Sequence, residues 1–139
     1  MATDTSRSRP DALPAPPDVI GGGVVALLGL LHVFVLQVGD VVGFAVLLVG
    51  WPLVGGSVAD RLSTDEETGH LRGALSGAFG ALTVALVVLL TGLAGVWPTF
   101  ITANIGVSVW PVTFAVLLML LLSWTVFSYV GSHLAERLS

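Results

Sequence analysis

The sequence predicts an all-α fold, a four-helix transmembrane bundle with both termini in the cytoplasm (N-in/C-in). Three observations carry that expectation. Of the 139 residues, 55% are hydrophobic and only 10% are charged, against about 25% charged in an ordinary soluble domain. The apolar residues fall into four blocks, each close to the roughly 20 residues that cross about 30 Å of hydrocarbon as a helix. All five basic residues fall in segments that a four-span chain places on one side of the membrane.

A soluble domain of this length needs a charged surface, and this chain has too few charges to make one, so lipid is the expected solvent. The absence of cysteine removes disulfides, thiolate metal sites and cysteine nucleophiles together. A net charge of −4 without any basic stripe excludes a nucleic-acid partner. Every basic residue is arginine. With abundant Ala, Val and Gly, that points to a GC-rich genome.

The elements follow in chain order. Residues 1–18 are polar and carry four prolines and two arginines. Such a segment buries too little apolar area to offset its ordering entropy and reads as a disordered tail. The first span is expected over 19–36. It resembles a signal peptide only in position, because it ends in Leu36-Gln37-Val38-Gly39-Asp40 with no small-x-small cleavage site. A tight hairpin at Gln37–Asp40 leads to the second span, 41–59. Pro52 lies inside it and removes the hydrogen bond to the Leu48 carbonyl, so a kink is expected there. The charged link 60–72 leads to the third span, 73–95. An uncharged link bracketed by Trp97 and Trp110 leads to the fourth, 111–130, where Pro111 suits a first helical turn. The spans contain no Arg, Lys, Asp or Glu. They also lack the apolar–polar alternation of barrel strands.

Arginines orient the bundle. Arg7 and Arg9 lie in the N-terminal tail, Arg61 and Arg72 flank the second link, and Arg137 lies near the C-terminus. The positive-inside rule then puts both termini and the second link in the cytoplasm of a multi-pass cell-membrane protein.

Small residues mark the expected helix-packing positions. Gly69, Gly73, Gly77 and Ala81 recur at four-residue spacing, and Gly55, Gly56 and Ala59 lie at the same depth on the preceding span. Apolar helices gain little from hydrophobicity in lipid and associate by close backbone approach, which small-xxx-small stripes allow. The expectation is that Gly55, Gly56 and Ala59 face Gly73, Gly77 and Ala81, making spans two and three the closest pair. A homodimer seam or a lipid-sealed pore lining is the functional alternative.

Few residues carry candidate chemistry. His32 is the single titratable side chain within a span and is a candidate for ion or proton handling. Its structural alternative is a hydrogen bond to a backbone carbonyl or to a hydroxyl such as Thr113. Asp40 is expected to end the first hairpin in water. Glu67-x-x-His70 matches one half of a two-carboxylate metal site, which requires a second Glu-x-x-His from another helix. The chain has no such second copy, so no metal site is expected. Ser63 with Glu66, and Thr64 with Glu67, read instead as capping boxes that start the third helix in the cytoplasm. Asn104 is either a vestibule residue or a cap in the outer link. No phosphate-loop, nucleophile-elbow or zinc-protease pattern occurs. No cofactor and no catalytic residue are therefore expected.

The segment Pro52-Leu53-Val54-Gly55-Gly56-Ser57-Val58-Ala59, followed by Gly69-His70-Leu71-Arg72-Gly73-Ala74-Leu75-Ser76-Gly77, resembles a family of small haloarchaeal multi-pass membrane proteins of unknown function. That family pairs a Pro-x-x-Gly-Gly-x-x-Ala segment with an Arg-x-Gly-Ala-x-x-Gly segment. Here Arg72 directly precedes Gly73. The resemblance covers roughly 51–90 and implies a multi-span bundle with no assigned activity. Small multidrug exporters fit less well, because they need a membrane-embedded Glu. Fluoride channels share with this chain only a partial match at Thr99-Phe100-Ile101-Thr102.

These readings converge on a non-enzymatic accessory subunit or scaffold in the lipid bilayer, within a homo-oligomer or a larger membrane complex. The alternative is a minimal oligomeric channel or transporter using His32.

Overall fold

The computed structural model describes residues 15–64, 66–95 and 109–138, with the side chains of 66–68, 109, 110, 112 and 113 outside that description. Among the described residues there is no strand, and nearly all are helical. Helix α1 (Pro17–Leu31) continues as a π-helical turn over His32–Leu36. Helix α2 (Val41–Ala45), a second π turn at Val46–Gly50 and helix α3 (Trp51–Leu62) form one continuous rod. Helices α4 (Glu66–Leu93) and α5 (Val109–Leu138) complete the fold. Four helical stretches, Pro17–Leu36, Val41–Leu62, Gly69–Leu93 and Phe114–Leu138, are long and apolar enough to cross a membrane. The chain is a four-helix transmembrane bundle.

Local chemistry sets the ends. Pro17 occupies the first turn of α1, with Asp18 beside it. Proline's missing N–H costs nothing there, and a carboxylate meets the positive helix end. The helix therefore takes in the last two residues of the expected tail, and the rest of that tail lies mostly outside the described residues. Gln37 adopts the left-handed conformation (φ 51°) that turns the chain after the first span. Asp40 then caps α2, accepting from the Gly43 N–H at 2.7 Å. Ser63 is not an N-cap. Its Oγ donates back to the Ala59 carbonyl at 2.8 Å, and its N–H closes α3 on the Asp60 carbonyl. Helix α4 nevertheless starts at Glu66, well before the apolar run. The cap contacts expected of Glu66 and Glu67, the Trp97 and Trp110 girdle and Asn104 lie outside the described side chains.

The two hairpins, spans one–two and three–four, lie side by side. The first and fourth spans each pack against both the second and the third. The seam between spans two and three is the least extensive of the five helix–helix seams. This corrects the expectation that Gly55, Gly56 and Ala59 face Gly73, Gly77 and Ala81. Gly73 and Gly77 instead face span four, against Ser132 and the carbonyls of Ser128 and Trp124. Gly56 also meets the Ser128 backbone, and Gly55 meets Val25 and the Gly21 carbonyl of span one. Ala59 packs at Gly21, and Ala81 joins the central cluster with Val25, Val84, Val88, Leu120 and Trp124. The reason is geometric. A stripe of small residues fixes how near a neighbour can come, not which neighbour comes.

Span two carries its irregularity at Val46–Pro52, and span four compensates for it. In the wide turn the Trp51 N–H bonds to the Val46 carbonyl, which diverts it from Leu47. Pro52 has no N–H, so Leu48 loses its regular partner as well. Each carbonyl left without a donor at membrane depth would cost on the order of several kcal/mol. Trp124 Nε1 donates to the Leu47 carbonyl at 2.8 Å, and Ser123 Oγ donates to the Leu48 carbonyl at 2.9 Å. Ser128 Oγ reaches the Pro52 carbonyl at 2.9 Å, and Ser57 Oγ shares its proton between the Leu53 carbonyl of its own helix at 2.7 Å and the Gly131 carbonyl of span four at 3.0 Å. Hydroxyls and one indole thus hold spans two and four together.

Candidate functional site

Among the described residues, charged and histidine side chains gather at the two opposite ends of the bundle. One end brings together the start of span one, the α3–α4 turn and the end of α5. Arg72 reaches Asp18 there at 3.5 Å, tying span three to span one. Both side chains are partly exposed, so the pair is worth no more than about 1 kcal/mol. Among the described residues, all three arginines (Arg61, Arg72 and Arg137) lie at this end, whereas the opposite end carries Asp40.

A compact group of imidazoles and a carboxylate occupies the charged end. His70 projects from the first turns of α4. His133 and Glu136 project from the last turns of α5, and their i,i+3 spacing puts them on one helix face. His70 Nε2 lies 3.2 Å from Glu136 Oε2, and His133 Nδ1 lies 3.9 Å from the same oxygen. One donor atom from each of the three residues falls within 4.8 Å of the others. The two imidazole rings stack with centroids 3.7 Å apart and planes 24° apart. Tyr129 sets its ring edge-on to both, at 4.7 Å from His133 and 6.0 Å from His70. Ser132 Oγ lies 3.4 Å from His70 Nδ1 and donates its own proton to the Tyr129 carbonyl at 2.6 Å. Asp60 approaches from α3, its Oδ1 filling the space that a Cβ on Gly69 would need. Burial pushes the Asp60 carboxyl above the usual carboxylate value, and His70, Glu136 and His133 lie within electrostatic range of it.

This group includes His70, which the sequence marks only through Glu67-x-x-His70, half of a two-carboxylate site. A two-carboxylate site asks for a second Glu-x-x-His, and the chain offers none. The second contribution is His133-x-x-Glu136, the same pair in reverse order. Helices α4 and α5 run antiparallel, so reversal of the order is what brings His133 level with His70. That signal is present in the sequence.

His32 sits toward the opposite end. It is 2% exposed, at the junction of α1 and the first π turn. Its Nε2 lies 3.0 Å from the Val38 carbonyl, and Trp51 Nε1 donates to its Nδ1 at 3.3 Å. A carbonyl can only accept and an indole N–H can only donate. These partners select the tautomer with hydrogen on Nε2. His32 thus joins the end of span one, the hairpin and the middle of span two through a single ring. The side chain of Thr113, the hydroxyl considered for it, lies outside the described side chains.

The six small residues expected at helix seams are all buried. Each meets spans one or four or the shared core, as described above. Comparison of the chain with known protein families, with curated proteins and with solved structures found no match.

Proposed function

We propose that the chain is a non-enzymatic component of the cell membrane, an accessory subunit or small scaffold, with both termini in the cytoplasm. The observation that supports this reading is how completely the spans close on one another. Gly56, Gly73 and Gly77 abut backbone atoms of span four. Val25, Val84, Val88 and Trp124 fill the centre at no more than 1% exposure. Packing of this kind favours a rigid bundle over a path through a single copy. His32 fits the same reading as a hairpin brace, with both ring nitrogens engaged. The grouping of the arginines at one end supports the cytoplasmic assignment of that end. The resemblance to small haloarchaeal membrane proteins accords with a bundle that has no assigned activity.

Purification in mild detergent tests the proposal, followed by measurement of mass and co-purifying proteins and by ion-flux assays in liposomes. The expected result is co-purification with a larger membrane partner and no flux above that of empty vesicles. A stable homo-oligomer of the chain alone that conducts ions, and loses conduction in His32→Ala, would contradict it and favour the channel reading.

A further inference from the structure

We propose that His70, His133 and Glu136 bind one divalent metal ion of the zinc class at the charged end of the bundle, an inference independent of the scaffold reading. Proton accounting leads to it. The single hydroxyl proton of Ser132 goes to the Tyr129 carbonyl at 2.6 Å. Toward His70 Nδ1, Ser132 Oγ can therefore only accept, and Nδ1 carries the hydrogen of that contact. The lone pair of His70 is then on Nε2, which faces Glu136 Oε2 at 3.2 Å. Two acceptors at that distance require a cation between them, either a proton or a metal ion.

The second imidazole is the observation that favours a metal ion, because it adds a third ligand atom to the group. His133 Nδ1 points at the same carboxylate oxygen from 3.9 Å, and its ring lies face to face with that of His70 at 3.7 Å. One divalent ion satisfies both lone pairs and the carboxylate with a single centre. Ligand atoms bound about 2.0–2.1 Å from a tetrahedral ion stand about 3.3 Å from one another. The His70–Glu136 separation of 3.2 Å already matches that edge, and all three donor atoms lie within 4.8 Å. His133 and Glu136 are 40% and 46% exposed, and metal binding requires the His133 ring to turn out of its stack on His70 so that both lone pairs meet one centre.

The donor set selects the ion. Two imidazoles and a carboxylate suit zinc and its neighbours, whereas magnesium and calcium prefer all-oxygen sites. Ser132 orients His70 through the nitrogen that does not bind, as partners of metal-ligating imidazoles commonly do. Asp60 Oδ1 sits against Gly69, the residue before His70, on the near side of the group. Three protein ligands leave one position open to water.

The test uses the full chain purified without a polyhistidine tag, titrated with ZnCl2 by calorimetry and with CoCl2 by visible absorption. The expected result is one equivalent of zinc per chain and the intense visible bands of four-coordinate cobalt. His133→Ala and Glu136→Gln should each weaken zinc binding at least about 10-fold and bleach the cobalt bands. Arg137→Gln, on the same turn, should leave both unchanged. His133 is half-buried and Glu136 exposed, and unchanged helical circular dichroism would show that the bundle persists. Wild-type protein that binds zinc no more tightly than the His133→Ala/Glu136→Gln double variant would overturn the proposal and leave a His70–Glu136 ion pair as the whole role of the group.

Discussion

Pro52 and Ser123 form a matched pair at the residue scale. Proline withholds the N–H that the Leu48 carbonyl would use, and Ser123 Oγ supplies a donor from the fourth span. Ser123→Ala should therefore destabilise the bundle by about 0.6–1.7 kcal/mol, the range of interhelical hydrogen bonds in membranes. The same substitution in a Pro52→Ala background should cost clearly less, because replacing the proline restores a backbone donor at that position. Equilibrium unfolding of the four proteins of this cycle measures the coupling. Additive effects would show that Ser123 does not compensate for Pro52. His32 makes a second residue-scale prediction. His32→Ala removes the acceptor of Trp51 and the donor to Val38, and should speed amide hydrogen exchange at Val38–Gly43 in the first hairpin. Exchange there at the wild-type rate would mean that His32 does not brace the turn. The sequence revealed Pro52 as a defect and Asp40 as a hairpin terminus. It did not reveal Ser123 and Trp124 as the compensating donors, because they lie about 75 residues away along the chain and nothing local links them.

Seams at the element scale depend on glycine at particular depths. Gly77 has no room for a Cβ, because the Trp124 carbonyl occupies that space, whereas Gly23 on span one has nothing within 4 Å. Gly77→Ala should destabilise the bundle by about 1–3 kcal/mol through overpacking. Gly23→Ala should be neutral or stabilising by up to about 1 kcal/mol through helix propensity. Thermal or denaturant unfolding in detergent distinguishes the two, and equal effects would remove the seam argument. The existence of a small-residue seam on span three was legible as Gly69, Gly73, Gly77 and Ala81. Its partner was not, since spacing along one helix sets a face but not what that face meets. The same limit hid the His70 group. Glu67-x-x-His70 was visible, yet its counterpart on α5 runs in the opposite order, and recognising it requires knowing that α4 and α5 are antiparallel neighbours.

The whole molecule was the most legible scale, because a bilayer leaves so little choice. Backbone polar groups in hydrocarbon must be satisfied internally, so long uncharged apolar blocks become helices. Four such blocks gave four helical spans. Orientation rests on a different physical basis, the placement of the three described arginines, Arg61, Arg72 and Arg137, at one end. The chain has no cysteine, so single cysteines can be introduced without background labelling. The most direct test of the membrane account is labelling of Ser6→Cys, Thr64→Cys, Thr102→Cys and Ser139→Cys in intact cells with a membrane-impermeant maleimide. The account predicts that Thr102→Cys is labelled from outside and that the other three react only after the membrane is opened. Labelling of Thr64→Cys in intact cells would contradict it.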